Sequence, residues 1–144
     1  MMSVSGKAAL GLVVSSATAF VGLGAGTAGA AGDLYGSLAM SNTSRGAVVG
    51  SGVNYGSYED ADRRALSECG AAKCRVIVHF ANGCGAVAVR DGHYTWAFGY
   101  SRVEAEQAAV GQLGPDPSPL LAALGSAAPS RAAIVTSECT ANAR

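Results

Sequence analysis

The chain contains the stretch Tyr55-Gly-Ser-Tyr-Glu-Asp-Ala-Asp-Arg-Arg-Ala-Leu-Ser-Glu-Cys-Gly70, and a second version of it, Gly99-Tyr-Ser-Arg-Val-Glu-Ala-Glu-Gln-Ala-Ala-Val-Gly-Gln-Leu-Gly114, begins 44 positions later. Four positions are identical in the two versions: Ser57/Ser101, Ala61/Ala105, Ala65/Ala109 and Gly70/Gly114. A repeat of this length is typical of one supersecondary unit that is used more than once, each copy covering the other's apolar face.

Both copies carry the signals of a capped helix. Ser57 and Ser101 place a hydroxyl at the N-cap, and a carboxylate follows three residues later, so the free N–H groups of the first turn find acceptors. Gly70 and Gly114 stand where a helix ends in the left-handed conformation. The alanines share one stripe of each helix, which predicts that the helix lies close to a sheet.

Extended segments flank each helix. Ser37–Met40 and Ala47–Tyr55 precede the first helix, Gly85–Val89 and Tyr94–Phe98 precede the second, and the strands Arg75–Phe80 and Ala132–Thr136 follow them. Asp91-Gly92 is a strong hairpin turn signal. We predict an α+β fold of two pseudo-symmetric strand–strand–helix–strand units, about 33–84 and 85–139, with antiparallel sheet covered by two helices and with two disulfides.

The N-terminus has the pattern of a secretory signal. Lys7 is its only charge, Ala8 to Gly24 is apolar, and Ala28-Gly29-Ala30 offers a small-residue cleavage site. An uncleaved membrane anchor is the alternative, because Ala8 to Ala31 is about long enough to span a bilayer. We predict a signal peptide at 1–30 and a single exported domain at 31–144, secreted or retained at the cell envelope.

The charge of the exported part favours neither nucleic acid nor membrane as a partner. The whole chain has ten Lys+Arg and ten Asp+Glu, so removal of Lys7 leaves nine against ten, a net charge of −1. Binding to nucleic acid or to an anionic membrane normally needs a concentrated basic surface, and no run of like charges occurs.

All four cysteines, Cys69, Cys74, Cys84 and Cys139, lie in the exported part. An even number in a small exported domain is typical of disulfides. A zinc site is the alternative, but such sites usually show two close cysteine pairs and only Cys69 and Cys74 are close. Three pairings are possible; the unit organisation favours Cys69–Cys74 and Cys84–Cys139. We predict no metal site and no cofactor.

The second unit contains an insertion between its helix and its last strand. This insertion loop, residues 114–131, holds all four prolines, and Leu120 to Leu124 can form one apolar helical turn. One interpretation is that the leucines pack back on the sheet edge. The other is that Leu120, Leu121 and Leu124 form a contact site for a protein partner outside the cell.

Several segments together resemble a known family. These are Tyr35-Gly36, Glu68-Cys-Gly70, Cys74-Arg-Val-Ile-Val and Phe80-Ala-Asn-Gly-Cys-Gly-Ala86, and the chain resembles the bacterial family known as domain of unknown function 4189 over about Asp33 to Cys139. The chain departs from the family pattern at Leu113, where a cysteine is absent, and in the insertion. The resemblance implies export and a stable fold, and it supplies no reaction and no catalytic residues.

The aromatic residues Tyr94, Trp96, Phe98 and Tyr100 share one face of an extended strand. Buried, this row would be the largest part of the core, because the exported part has only one other phenylalanine, Phe80. Exposed, it would stack on the sugar rings of a cell-wall glycan or another polysaccharide. The sequence leaves both interpretations open.

Catalysis is the weakest of the functional hypotheses. A hydrolase needs a nucleophile, a base within hydrogen-bond reach and a group that orients the base. Only His79 and His93 are available as histidine bases; His79 is predicted to be structural, and no G-x-S-x-G elbow occurs. We predict a non-enzymatic extracellular interaction module or effector, with glycan binding as the alternative and a small hydrolase third.

Overall fold

Six strands and three helices form the part of the chain that the computed structural model describes, residues 32–125 and 130–144. The first unit consists of β1 (Tyr35–Thr43), β2 (Gly46–Tyr55), α1 (Tyr58–Cys69) and β3 (Arg75–Ala81). The second consists of β4 (Cys84–Arg90), β5 (His93–Gly99), α2 (Arg102–Gly111), α3 (Pro119–Ala123) and β6 (Ala133–Cys139). The predicted signal peptide, 1–30, lies outside the described residues.

The strands form two antiparallel three-stranded sheets with the same order. The first sheet is β2-β1-β3 and the second is β5-β4-β6, so the first strand of each unit is central. Each last strand carries one unpaired extra residue at the same place in its ladder, Ile77 in β3 and Val135 in β6. The predicted α+β fold is confirmed, with the antiparallel strands divided between two sheets.

The helix caps follow the predicted signals at three of four ends. Ser57 accepts a hydrogen bond from the Asp60 N–H, and Ser101 forms a complete capping box with Glu104. Gly70 ends α1 with φ of 58°. The expected end of the second helix is wrong: α2 ends at Gly111, and Gly114 lies in the following turn because the carbonyls beyond the helix bind Arg90.

Successive side chains of the central strands point to opposite faces of their sheets, and the core therefore consists of three layers. On β1, Ala39 faces Ala65 and Cys69 of α1, whereas Leu38 and Met40 face the second sheet. On β4, Ala86 and Ala88 likewise lie under α2, and Val87 joins the core between the sheets. The described part of the chain is therefore layered helix, sheet, sheet, helix, and small residues let each helix approach its sheet closely.

Phe80 connects the two sheets near the end of β3 and the starts of β1 and β4. Its side chain is 2% exposed. A Cβ added to Gly36, its neighbour on β1, would lie 2.1 Å from the ring, and a Cβ added to Gly85 on β4 would lie 2.6 Å from it. The ring thus fills the space that these two glycines leave on facing sheets.

Two disulfides close the structure. Cys69 is bonded to Cys74, which ties the end of α1 to the start of β3. Cys84 is bonded to Cys139 between β4 and β6. These are the pairs that the sequence favours. Chain-entropy reasoning gives the second bond the larger effect, about 4 kcal/mol against about 2 kcal/mol, because it closes a much longer loop.

Replacement of Phe80 tests whether the two sheets depend on this ring. Phe80→Ala leaves a cavity between Gly36 and Gly85, and we expect it to lower the free energy of unfolding by about 3–5 kcal/mol. Phe98→Ala is the matched control: its side chain is 60% exposed, so we expect a change of less than about 1 kcal/mol. Thermal or urea unfolding of both oxidised variants measures the difference; equal losses would contradict this account.

Candidate functional site

The predicted aromatic row divides into an inner and an outer pair. Tyr94 and Trp96 are half-buried and pack against the core between the sheets, and the Tyr94 hydroxyl accepts a hydrogen bond from the Ala47 N–H at 3.2 Å. Phe98 and Tyr100 are 60% and 59% exposed. The row is thus neither wholly core nor wholly surface.

The position of Phe98 explains this division. Its ladder partner on β4 is Gly85, and the Phe80 ring already fills the space above that glycine. Since β5 is an edge strand, the Phe98 side chain lies at the margin of the sheet. Tyr100 follows the strand, and the Arg144 guanidinium lies 5.8 Å from the centre of its ring.

The three leucines of the insertion loop stand exposed. Leu120, Leu121 and Leu124 are 67%, 50% and 69% exposed, so the expectation that they pack back on the sheet edge is wrong. The predicted helical turn is present as α3, Pro119–Ala123, and the Leu124 N–H donates to the Leu120 carbonyl at 3.1 Å. Residues 126–129 of this loop lie outside the described part.

Arg90 anchors the start of the insertion loop. Its guanidinium donates to the carbonyls of Leu113 at 2.8 Å, Gly114 at 3.3 Å and Pro115 at 3.1 Å, and to the Asp116 carboxylate at 2.6 Å. Arg90 is only 8% exposed. A buried charge is tolerated when it is paired and hydrogen-bonded in this way. Sequence reasoning missed this role.

Asp91 and Asp116 hold the end of the loop. The Asp91 carboxylate accepts hydrogen bonds from the Ser130 hydroxyl at 2.6 Å and from its N–H at 3.1 Å. These bonds lower the pKa of Asp91, the hydroxyl bond contributing most. The Ala132 N–H donates to Asp116 at 3.3 Å, so the two ends of the loop meet at one carboxylate.

His79 forms a polar cluster with Asp62, Ser37 and Tyr58. Its Nε2 lies 2.7 Å from the Asp62 carboxylate, which also accepts a hydrogen bond from the Ser37 hydroxyl. The Tyr58 ring lies 4.7 Å from the imidazole, and Tyr35 meets Tyr58 edge-on at 4.6 Å. Ser37 is completely buried and bonds to the acid rather than to the imidazole, which is not the arrangement of a catalytic triad.

The second unit builds the same corner with other residues. Glu106 on α2 accepts a hydrogen bond from the Ser137 hydroxyl on β6, and Arg102 donates to the hydroxyl and carbonyl of Ser137. Asp62 and Glu106 occupy matching positions of the two helices. In both units an acidic side chain on the helix is thus hydrogen-bonded to a residue of the last strand. The Asp62–His79 pair is therefore explained by its structural role in joining α1 to β3.

His93, the other histidine, is exposed beside the hairpin turn at Asp91-Gly92, both of which have positive φ. Among residues 32–125 and 130–144, no group of three or more His, Cys, Asp or Glu side chains is placed to hold a metal ion. Within the same residues no helix is long and apolar enough to cross a membrane.

The family profile described as domain of unknown function (DUF4189) matches residues 35–139. The chain belongs to this family. The match covers both units, from the start of β1 to the end of β6. Comparisons with curated proteins and with solved structures found no match.

One of the segments on which the resemblance to DUF4189 rests, Phe80–Ala86, has a structural role. Within Phe80–Ala86, Asn82 has a left-handed backbone and its carboxamide oxygen accepts from the Leu34 N–H at 3.0 Å. A Cβ on Gly83 would lie 2.4 Å from the Gly99 carbonyl oxygen, and Cys84 is in the long disulfide. The segment is therefore the crossing between the two sheets, and its contacts account for its composition.

The Asp91 anchor predicts a response of the insertion loop to acid. Because the folded pKa is lowered, the carboxylate contributes fully above the ordinary aspartate pKa, and its contribution is lost as the pH falls through the lowered value. We expect the Ser130 amide resonance to titrate with a midpoint below the ordinary aspartate range in an NMR pH series. Asp91→Asn should abolish this titration and Glu59→Gln, on the exposed face of α1, should not; an ordinary midpoint would contradict the anchor.

Proposed function

We propose that this protein is a non-enzymatic extracellular binding module that captures a protein partner through the leucines of its insertion loop. The observation that carries the proposal is that Leu120, Leu121 and Leu124 stand exposed on a loop whose two ends are held by polar anchors. Loops positioned by a rigid scaffold commonly carry binding function.

The anchors matter because they reduce the cost of binding. A loop that is ordered before binding loses less conformational entropy when it meets its partner. Arg90 and Asp91 fix the loop at residues 113–116 and at Ser130, so the apolar turn between them is held away from the sheet. This arrangement supports a contact site rather than a passive insertion.

The chemistry of the turn indicates the kind of surface that the partner presents. Leu120 and Leu124 are four residues apart, the spacing that places side chains on one side of a helix. Helical turns with this spacing bind apolar grooves on other proteins. Asp116, the only charged residue between 114 and 130, is already bonded to Arg90, so the groove is expected to be uncharged.

Burial of the leucines sets the expected affinity change. Complete burial of a leucine contributes about 1.5–3 kcal/mol, and these side chains have roughly half to two thirds of that surface still to bury. The three together therefore supply on the order of 3 kcal/mol, or about 100-fold in the dissociation constant. Further contacts from the rest of the partner are needed for micromolar binding.

The test compares a loop variant with a matched surface variant. Oxidised wild-type protein is cross-linked to proteins exposed at the surface of the producing cells, the captured protein is purified, and its affinity is measured by calorimetry. We expect Leu120→Ser/Leu121→Ser/Leu124→Ser to weaken binding about 100-fold without a change in melting temperature. Val103→Ser, 59% exposed on α2, is the control and should bind normally. Unchanged binding by the triple variant would reject the loop as the contact site.

Glycan binding is the second candidate, favoured by the exposed pair Phe98 and Tyr100. Alternate positions along an extended chain lie about 7 Å apart, which suits successive rings stacking on a sugar chain. The half-buried Tyr94 and Trp96 are not part of this smaller platform.

Co-sedimentation with insoluble cell-wall polysaccharide tests the platform. We expect Phe98→Ala/Tyr100→Ala to lose about tenfold or more in retained protein if stacking supplies about 1–1.5 kcal/mol. The leucine triple variant should sediment like the wild type in this assay. Retention that is independent of both aromatic residues would remove the glycan hypothesis.

A further inference from the structure

Within the described residues, three of the four edge strands have at least one main-chain group hydrogen-bonded to a side chain, which we call the cover of that edge. On β2 the Ser51 N–H donates to the Glu68 carboxylate at 3.1 Å, and on β5 the Trp96 carbonyl accepts from the Gln112 side chain at 2.9 Å. On β6 the Ser137 carbonyl accepts from Arg102. Each bond occupies a main-chain group that an added strand would otherwise use.

The fourth edge, that of β3, has no such cover within residues 32–125 and 130–144. β3 pairs with β1 alone, and no described side chain hydrogen-bonds to its main chain between Arg75 and Ala81. We call this the open edge of β3. The unpaired residue Ile77 does not explain the difference, because β6 has Val135 at the same place and is covered.

One position accounts for the contrast between β3 and β6. Tyr58 in α1 corresponds to Arg102 in α2, and His79 on β3 corresponds to Ser137 on β6. Arg102 reaches the strand carbonyl, whereas Tyr58 stacks on the His79 ring. The second unit therefore has a side chain that bonds to the main chain of its edge strand at this position, and the first unit does not.

Two cations stand at the start of β3, where it pairs with the end of β1. Lys73 and Arg75 are exposed and line a cavity of about 410 Å³ together with Met40, Ser41 and Asn42. Neither cation forms an ion pair with a described residue. A carboxylate entering this cavity would meet two positive charges and no negative one among the lining residues.

We propose that the open edge of β3 binds an extended peptide as an added strand, with an acidic side chain of that peptide held by Lys73 and Arg75. Main-chain hydrogen bonds supply the affinity in this mode of recognition, and side-chain pockets supply the specificity. This site is separate from the insertion loop, and it gives the protein a second way to contact a protein partner.

Synthetic octapeptides of alternating valine and threonine, acetylated and amidated, provide the probe. Two versions carry glutamate at the first or the last position, and two controls carry lysine there or proline at alternate positions. We expect one glutamate peptide to bind the oxidised protein about tenfold more tightly than its lysine control in fluorescence anisotropy. The proline peptide should not bind, and hydrogen exchange of the β3 amides should slow with the glutamate peptide alone. Absence of glutamate-peptide binding up to about 1 mM would overturn the proposal.

Variants then locate the site. Tyr58→Arg/His79→Ser copies the β6 corner onto β3, and we expect it to weaken peptide binding about tenfold because one edge carbonyl becomes occupied. Tyr58→Phe is its control and should bind normally. Lys73→Glu/Arg75→Glu changes only exposed side chains and should reverse the preference towards the lysine peptide. If the Lys73→Glu/Arg75→Glu variant still preferred the glutamate peptide, the proposed peptide site would be rejected. The same would follow if the protein formed dimers through the β3 edge and bound no peptide.

Discussion

The Phe80 ring between Gly36 and Gly85 is the contact on which the layered structure depends. A side chain at either glycine would occupy the volume of the ring and force the sheets apart. Because Phe80 lies near the end of β3 and Gly85 near the start of β4, this contact also sets how the two units meet. The neighbouring Cys84–Cys139 bond then fixes β4 to β6 beside it.

Both units solve the same structural problems with different residues. The end of α1 is held by the Cys69–Cys74 bond, whereas the matching end of α2 has Leu113 and is held by the buried Arg90. A disulfide secures a short turn, but an arginine with several donors can hold a longer segment by its carbonyls. Arg90 thus holds, at the start of the insertion loop, the corner that a disulfide holds in the first unit.

Much of the architecture could be predicted from local sequence. Ser57, Ser101 and Gly70 act at their helix ends because caps depend only on neighbouring residues. The end of α2 at Gly111 could not be predicted in this way, because the carbonyls of Leu113 and Gly114 just beyond it bind Arg90, which is more than 20 positions away. Separation along the chain likewise hid the Asp91–Ser130 anchor and the side-chain hydrogen bonds at the edges of β2, β5 and β6.

The sequence by itself determined the order of elements, the helix starts and the pairing preference of the cysteines, since these follow from periodicity, capping and the predicted two-unit organisation. Tertiary structure alone decided which apolar residues remain exposed. Phe98 and Trp96 share one strand face, yet Phe80 leaves room in the core only for the latter. The leucines of the insertion loop are apolar enough for a core, but Arg90 and Asp91 hold the two ends of this loop, and the leucines remain exposed. Exposure depends on which surfaces meet in space, and a local pattern does not contain that information.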